Sequence, residues 1–409
     1  DGVTDLIELA AGTDALSDED SPRTRGDFVF VVPYQEEASP KDDTLKFRTD
    51  IQFADVYILM DLSGSMSGEL EGVRTALADA VETLTCEDFG TSCVGTSQCG
   101  AGQICGAGGS CIENPKTSSC IESLWTGFGA YGDPGDFENK VSLQSDPQVT
   151  IASLPLSTTS ASDEALHEAL ECVAEPLTCD TNTCAATGVG CPGYREDAVK
   201  IVVGVTDESD RCYHGGCGGP NVMVVTDELN AVGVNFVGIN SGSVDNVDVT
   251  QNLSELAEGT GTIGAGGDPL VYVGANAEVT TALVAAINGI VRDVPLRVTL
   301  SAQETQDDAG NAKPFVERLA VNVMGGDCTA VTNTEDTNAD GYDDAFSAIK
   351  PGTSVCWDIR VADNMTVKPT SEPQVFRLRL VVRGNGSIVD QRTAYFLVPP
   401  EIPVLVGPG

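Results

Sequence analysis

Apolar and polar positions along this chain fall into two regimes. Between residues 54 and 293, short apolar runs alternate with stretches of helical periodicity. Residues 56–60, 125–131, 148–154, 198–205, 234–239 and 270–273 read as strands. Residues 68–84, 163–173, 224–232, 249–258 and 276–291 read as helices. This alternation predicts an α/β, Rossmann-like domain, a parallel-rich sheet with helices on both faces. In open sheets of that kind, ligands bind beyond the C-terminal ends of the strands. Outside this region the helical period vanishes. Residues 28–34, 44–53, 296–302, 316–324, 354–361, 375–383 and 393–398 read as strands, with Gly384-Asn385-Gly386-Ser387 as a hairpin turn. About seven strands suffice for a small β-sandwich. The expected organisation is a polar linker (1–24), a sandwich in two pieces (25–53 and 294–404), the α/β domain inserted between them (54–293), and a tail (405–409).

Composition narrows the chemistry. The chain carries 22 Lys and Arg against 62 Asp and Glu, a formal charge of -40, which disfavours nucleic acid and anionic membranes as electrostatic partners. Fourteen cysteines occur without a Cys-x-x-Cys spacing, and the only histidines are His167 and His214, so zinc is not indicated. The cysteines gather in two inserts, 86–120 and 172–217, which read as disulfide-stapled loops near the ligand face of an extracellular protein. Cys328–Cys356 and Cys212–Cys217 are among the expected pairs. No apolar run approaches the roughly 20 residues of a membrane helix. The chain begins at Asp1, as a processed secreted protein would, and membrane attachment would require a lipid anchor.

The most specific signal is Asp61-Leu62-Ser63-Gly64-Ser65, which directly follows the apolar run 56–60. One carboxylate and two hydroxyls spaced two apart are hard oxygen ligands suited to Mg²⁺ or Ca²⁺. Alone, such a motif often does no more than cap a helix. Two further loops strengthen the metal reading. Asp207 ends the apolar segment 200–206, and the hydroxyl-rich loop 157–164 offers Thr159, Ser160 or Glu164. A cation held by so few protein charges stays electropositive and can accept a carboxylate from another molecule, which points to adhesion rather than catalysis.

These residues resemble the von Willebrand factor A domain, specifically the I-like domain of integrin β subunits. The likeness extends to Thr126-Gly-Phe-Gly-Ala-Tyr-Gly-Asp133, Tyr194-Arg-Glu-Asp-Ala198 and Leu253-Ser-Glu-Leu-Ala-Glu-Gly259, and the flanking sandwich resembles the integrin hybrid domain around Ile349-Lys-Pro-Gly-Thr-Ser-Val355. The resemblance implies a metal-ion-dependent adhesion site at Asp61, Ser63, Ser65 and Asp207. It places Glu164 at the integrin β glutamate, with Thr159 or Ser160 serving as in simpler A domains. The family's adjacent calcium site uses two successive acids; here those positions are Gly68 and Glu69, leaving Glu69 as a lone candidate. Cys99-Gly-Ala-Gly-Gln-Ile-Cys105-Gly-Ala-Gly-Gly-Ser-Cys111 resembles cysteine modules on myxobacterial surface proteins. It implies an outer-membrane lipoprotein adhesin that supports gliding, with envelope or motility-machinery partners.

A second cation loop is indicated by Asp336, Asn338, Asp340, Tyr342 and Asp344, with Gly341 at position 6. This is the first part of an EF-hand-type Ca²⁺ loop, with Ser347 where the bidentate Glu would stand. Its plain alternative is a solvated acidic turn. Arg25-Gly26-Asp27 reads as a chance tripeptide, and His167 as a solvated or capping residue. No nucleophile–His–acid triad is apparent, so no enzymatic activity is expected. The rival readings are an envelope scaffold that recruits partners through its A domain, and a metal-dependent hydrolase.

Overall fold

The computed structural model describes residues 3–401 apart from 18–19, 95–97, 107, 119, 162, 180–182, 216–217, 243–246, 265, 275–277, 307 and 325. Its central sheet runs in the order Val271–Val273, Val234–Asn240, Val199–Thr206, Phe53–Asp61, Ser123–Tyr131, Glu138–Gln144. The first five strands are mutually parallel and the last is antiparallel. Alternate residues of Phe53–Asp61 face opposite sides of the sheet, as the two-residue period of a strand requires. Val56, Ile58 and Met60 pack in one cluster with Val73 and Leu77 of helix Glu69–Leu84 and with Leu283 and Ile287 of helix Glu278–Asp293. Tyr57 and Leu59 pack in the other, against Leu166 and Leu170 of helix Leu166–Ala174, Leu229 of Val222–Val232 and Leu253 of Val247–Gly259. Burial on both faces explains why this strand is almost continuously apolar.

The flanking segments build a sandwich of a six-stranded and a three-stranded sheet. Phe28–Val31 pairs in parallel with Ser387–Val398, and Asp42–Phe47 pairs antiparallel with Val355–Val361, so chain from before and after the α/β domain shares each sheet. Trp357 anchors the core, edge-on to Phe47 and Phe346 at 5.6 and 4.9 Å. The hairpin at Asn385-Gly386 has φ of 49° and 87°, the paired positive values that a two-residue turn matched to strand twist demands.

Several expectations need correction. Residues 148–154 are not a strand. Pro147–Ser153 is a helix, with Pro147 in its first turn and the Asp146 carboxylate accepting the Gln148 amide at 2.9 Å. Residues 1–24 are more than a linker, because helix Asp5–Ala11 buries Ile7 against Val29, Tyr395 and Leu397. Edge strand Glu138–Gln144 and the short strands Thr334–Glu335 and Ala345–Ile349 escaped the sequence reading. The first is polar at alternate positions, and the other two are too brief to show a period. The tail 405–409 lies outside the described residues.

Among the described residues, six disulfides join Cys86–Cys120, Cys93–Cys105, Cys99–Cys111, Cys172–Cys179, Cys184–Cys191 and Cys328–Cys356. Such a set marks an oxidising environment. The expected Cys212–Cys217 pair falls outside the described residues, since Cys217 is not among them. Cys93, Cys99 and Cys111 bring their sulfurs together, but all three are consumed in disulfides and offer no thiolate to a metal. The first insert carries its own three-stranded sheet, Asp88–Ser92, Ser110–Glu113 and Gln103–Cys105. It leaves from the C-terminal end of helix Glu69–Leu84 and returns at the start of strand Ser123–Tyr131. That places it at the N-terminal edge of the parallel sheet, opposite the ligand face where it was expected. No described helix is long and apolar enough to cross a membrane.

At that same edge, the fully buried Asp55 carboxylate accepts the Arg195 backbone amide at 2.6 Å and its Nε at 2.8 Å, while the guanidinium lies 4.5 Å from the Trp125 ring. Burial raises the Asp55 pKa and the Arg195 hydrogen bonds oppose that rise. Removing one partner of a buried pair leaves an uncompensated charge. Arg195→Met should therefore cost about 3–5 kcal/mol in chemical denaturation, and Asp55→Asn in the same background should recover part of it.

Candidate functional site

Asp61 ends the central strand, and three loops meet above it. Its carboxylate is fully buried; Oδ1 accepts the Ser63 amide at 2.7 Å and Oδ2 accepts the Thr206 hydroxyl at 3.1 Å. Leu62 is tied to the neighbouring strand through its amide, 3.0 Å from the Tyr131 carbonyl. The 3-10 turn Gly64–Gly68 then carries the chain into helix Glu69–Leu84. Within this turn the Ser63 and Ser65 hydroxyls lie 3.0 Å apart, and the Ser65 hydroxyl donates to Asp207 Oδ1 at 3.1 Å. Asp61, Ser63, Ser65 and Asp207 thus form one connected set of oxygens at the C-terminal ends of two adjacent parallel strands.

The third loop supplies Glu164. Its carboxyl is buried and is pushed up to about 7, first by burial and then by the charges of Asp61, Glu208 and Asp207; its own backbone amide opposes the rise. Asp61 is pushed up to about 6, again chiefly by burial, with Asp207 adding repulsion against the relief from Ser63 and Thr206. Thr159 faces elsewhere, since its hydroxyl donates to the Leu62 carbonyl at 3.0 Å and its amide to the same oxygen at 2.8 Å. It clasps the motif loop while the lone pairs of its hydroxyl oxygen stay uncommitted by that donation. Ser160 is exposed on the same loop. This loop packs closely on the next strand end, where a Cβ on Gly132 would come 2.7 Å from Ala161 Cβ. Glu69 opens the helix and is buried, and its Oε2 has no hydrogen-bond partner among the described residues.

Buried carboxylates whose ionisation is opposed by burial and by one another, with hydroxyls alongside, suit a small hard cation. Asp61, Ser63, Ser65 and Asp207 offer hard oxygens of the kind that Mg²⁺ or Ca²⁺ takes, with Glu164 on the adjoining loop; the three carboxylates are not all within 4.8 Å of one another.

His167 overturns its sequence reading. It is buried, and burial lowers its pKa. Its Nδ1 lies 3.2 Å from both the Pro220 carbonyl and Asp210 Oδ1, while Nε2 lies 2.9 Å from Asn252 Nδ2. Asp210 also accepts the His167 and Cys212 amides at 2.8 and 2.7 Å, and its own amide donates to Asn252 Oδ1 at 3.0 Å. Both ring nitrogens are engaged, so the imidazole is a neutral strut rather than a base. The strut joins the Glu164 loop to the Asp207 loop, which also meet where the Arg211 amide donates to the Glu164 carbonyl at 3.0 Å. Sequence reasoning missed Thr206, Asp210 and Asn252. Only the position of Thr206 beside Asp207 could have flagged it.

The 336–344 loop closes on itself. Asp336 accepts the amides of Ala339, Asp340 and Gly341 at 2.8, 3.3 and 2.9 Å, which lowers its pKa. Asn338 and Asp340 each accept an amide two residues on, and Asp344 receives the Thr337 amide and hydroxyl. The Tyr342 ring is covered by the Arg318 guanidinium at 4.0 Å, so this residue offers the loop only its backbone oxygen. In the 25–27 tripeptide, Arg25 pairs with Asp20 and Asp27 accepts the Thr393 amide, a local structural use of both charges.

Strand order, helices on both faces and an oxygen cluster at the C-terminal strand ends define an open α/β domain with a largely parallel sheet, set into a β-sandwich. No family profile matches the sequence, and no curated protein does. Similar solved structures include a von Willebrand factor type A protein from Catenulispora acidiphila, with 13% identity over 91% of this chain and 72% of that one, TM-score 0.34. The pilus adhesin SpaC from Lactobacillus rhamnosus GG, in its open conformation, has 12% identity over 86% of this chain and 45% of its own, TM-score 0.36. An aerotolerance-related membrane protein from Bacteroides fragilis has 14% identity over 58% of this chain and 98% of its own, TM-score 0.33. At such scores the fold assignment rests on the strand order itself.

A raised carboxyl pKa in the folded state means that the unfolded chain ionises first as pH climbs. Stability without metal should therefore fall from about pH 4 to pH 7 as Asp61 and Glu164 are forced to ionise. For Asp61 the shift from 3.8 to about 6 corresponds to about 3 kcal/mol. Calorimetry in EDTA should show this fall in the wild type and a shallower one in Asp61→Asn.

Proposed function

We propose that this chain is an extracellular adhesion protein that engages its ligand through a divalent cation, Mg²⁺ or Ca²⁺, at Asp61, Ser63, Ser65, Asp207 and Glu164. The observation that carries this reading is the continuous contact from Asp61 through Ser63 and Ser65 to Asp207, with the buried Glu164 carboxyl facing the same charges. When bound, the cation supplies a Lewis-acid position for a carboxylate oxygen of an extracellular protein or substratum. The protein's own part is orientation. The Ser63 amide and Thr206 hydroxyl fix the Asp61 carboxylate, and Thr159 braces the motif loop. Ser65 is exposed while Asp61 and Ser63 are buried, so the cluster opens toward solvent on one side only. With both His167 nitrogens occupied, the nearby imidazole has no free position from which to act as a general base. The reading therefore includes no turnover.

The finer proposal is attachment of a gliding bacterium, with the chain as an outer-membrane lipoprotein coupled to envelope or motility-machinery partners. A Ca²⁺ at Asp336, Asn338, Asp340, Asp344 and the Tyr342 carbonyl would stiffen the loop of the disulfide Cys328–Cys356. That loop is already fastened to the core, where Trp357 Nε1 donates to the Asp344 carbonyl at 3.0 Å.

Adhesion of intact source cells tests the main reading. Wild-type attachment should fail in EDTA, and Asp61→Ala cells should fail to attach with metal present at equal surface abundance. Normal attachment by a variant shown to have lost its cation would leave the domain as a scaffold. For the second loop, Ca²⁺ should raise the melting temperature of the wild type, and Asp336→Ala should lose that increment while keeping any response to Mg²⁺.

A further inference from the structure

Tyr131 ends the strand next to Asp61, and the two residues are register partners in the parallel pair. Its side chain is only 2% exposed, and its hydroxyl is fully buried with no hydrogen-bond partner among the described residues. The nearby Thr206 hydroxyl gives the phenol some relief without meeting hydrogen-bond geometry, because it donates to Asp61 and stands within hydrogen-bond distance of the Glu208 carbonyl and amide. An orphaned buried phenol of this kind destabilises the fold, because its lost hydrogen bonds to water are not replaced. A plain core aromatic at this position would avoid that cost, since Tyr131 otherwise packs in an apolar cluster with Tyr57, Leu59 and Leu166.

The surroundings show what the hydroxyl faces. The strand end that carries Tyr131 meets the Glu164 loop directly, since the Ala165 amide donates to the Gly132 carbonyl at 3.0 Å and Tyr131 packs in one cluster with Leu166. Burial opposes its ionisation first, and then the carboxylates of Asp61, Asp210 and Glu164 all do. Two of these are already held: Asp61 by Ser63 and Thr206, and Asp210 by the amides of His167 and Cys212. Glu164 is buried and rests on its own backbone amide. An unpartnered buried donor and a loosely held buried acceptor therefore lie on two segments that meet beneath the motif loop.

We propose that Tyr131 is the positioning residue whose hydroxyl donates to the Glu164 carboxylate and holds it in the cation site. This inference rests on the cation reading above and names the group that orients the last ligand. Partners of this kind that orient ligands typically contribute 10–100-fold in metal affinity. They can leave a donor unsatisfied when the metal is absent.

Mg²⁺ titration by calorimetry on the full chain tests it, with Tyr131→Phe, Glu164→Gln and the double variant, and Asp61→Ala as the blank. Tyr131→Phe should weaken Mg²⁺ about tenfold in the wild-type background. It should add nothing once Glu164 is Gln. In EDTA it should melt no lower than the wild type, because it removes an unsatisfied polar group; a purely structural tyrosine would lower the melting temperature and leave affinity alone. Equal affinity of wild type and Tyr131→Phe overturns the inference, as does a tenfold loss that persists in the Glu164→Gln background. A wild type whose Mg²⁺ uptake matches that of Asp61→Ala overturns the cation reading, and this inference with it.

Discussion

The arrangement turns on a carboxylate buried at the end of a central parallel strand. Asp61 has no contact with solvent, and a buried charge is tolerated only where other groups hold it. Every loop above the sheet responds to that constraint. The motif loop folds back so that the Ser63 amide reaches Asp61, and the adjacent strand ends in Thr206 rather than another aliphatic residue. The 157–164 loop is drawn in over the Leu62 carbonyl. Even with these donors the ionised form remains disfavoured, and Asp207 and Glu164 deepen the deficit of positive charge.

Rigidity beneath the cluster comes from a second polar network. His167, Asp210 and Asn252 belong to three different segments and exchange hydrogen bonds in a space closed to water. Such networks specify one arrangement when every member is satisfied. Here the satisfied network underlies the Glu164 and Asp207 loops, while the unsatisfied hydroxyl of Tyr131 stands beside it.

The sequence showed the α/β core well because its strands are covered on both faces, making 56–60 and 198–205 unmistakable apolar runs. The chemistry of Asp61, Ser63, Ser65 and Asp207 was equally plain, since it is local and sits where a strand ends. Glu138–Gln144 was hidden because an edge strand with one wet side alternates weakly, and 148–154 was misread because apolar content outweighed the Asp-Pro start signal at 146–147. His167 was misplaced for a different reason. Its burial depends on Asp210 and Asn252, 43 and 85 positions away, and no local pattern reports such a meeting. The insert 86–120 was assigned to the wrong end of the domain, although the order of helix, insert and strand already fixed its side.

That insert is joined to the domain at a single narrow point. The Cα atoms of Cys86 and Cys120 stand 4.9 Å apart, so the intervening chain leaves and returns through a gap that one disulfide closes. Its sheet and its two internal bridges belong to itself. Modules attached in this way can be lengthened, shortened or exchanged without altering the path of the surrounding backbone. The lower rim of the domain can consequently accept changes to this module without disturbing the oxygen cluster at the opposite rim.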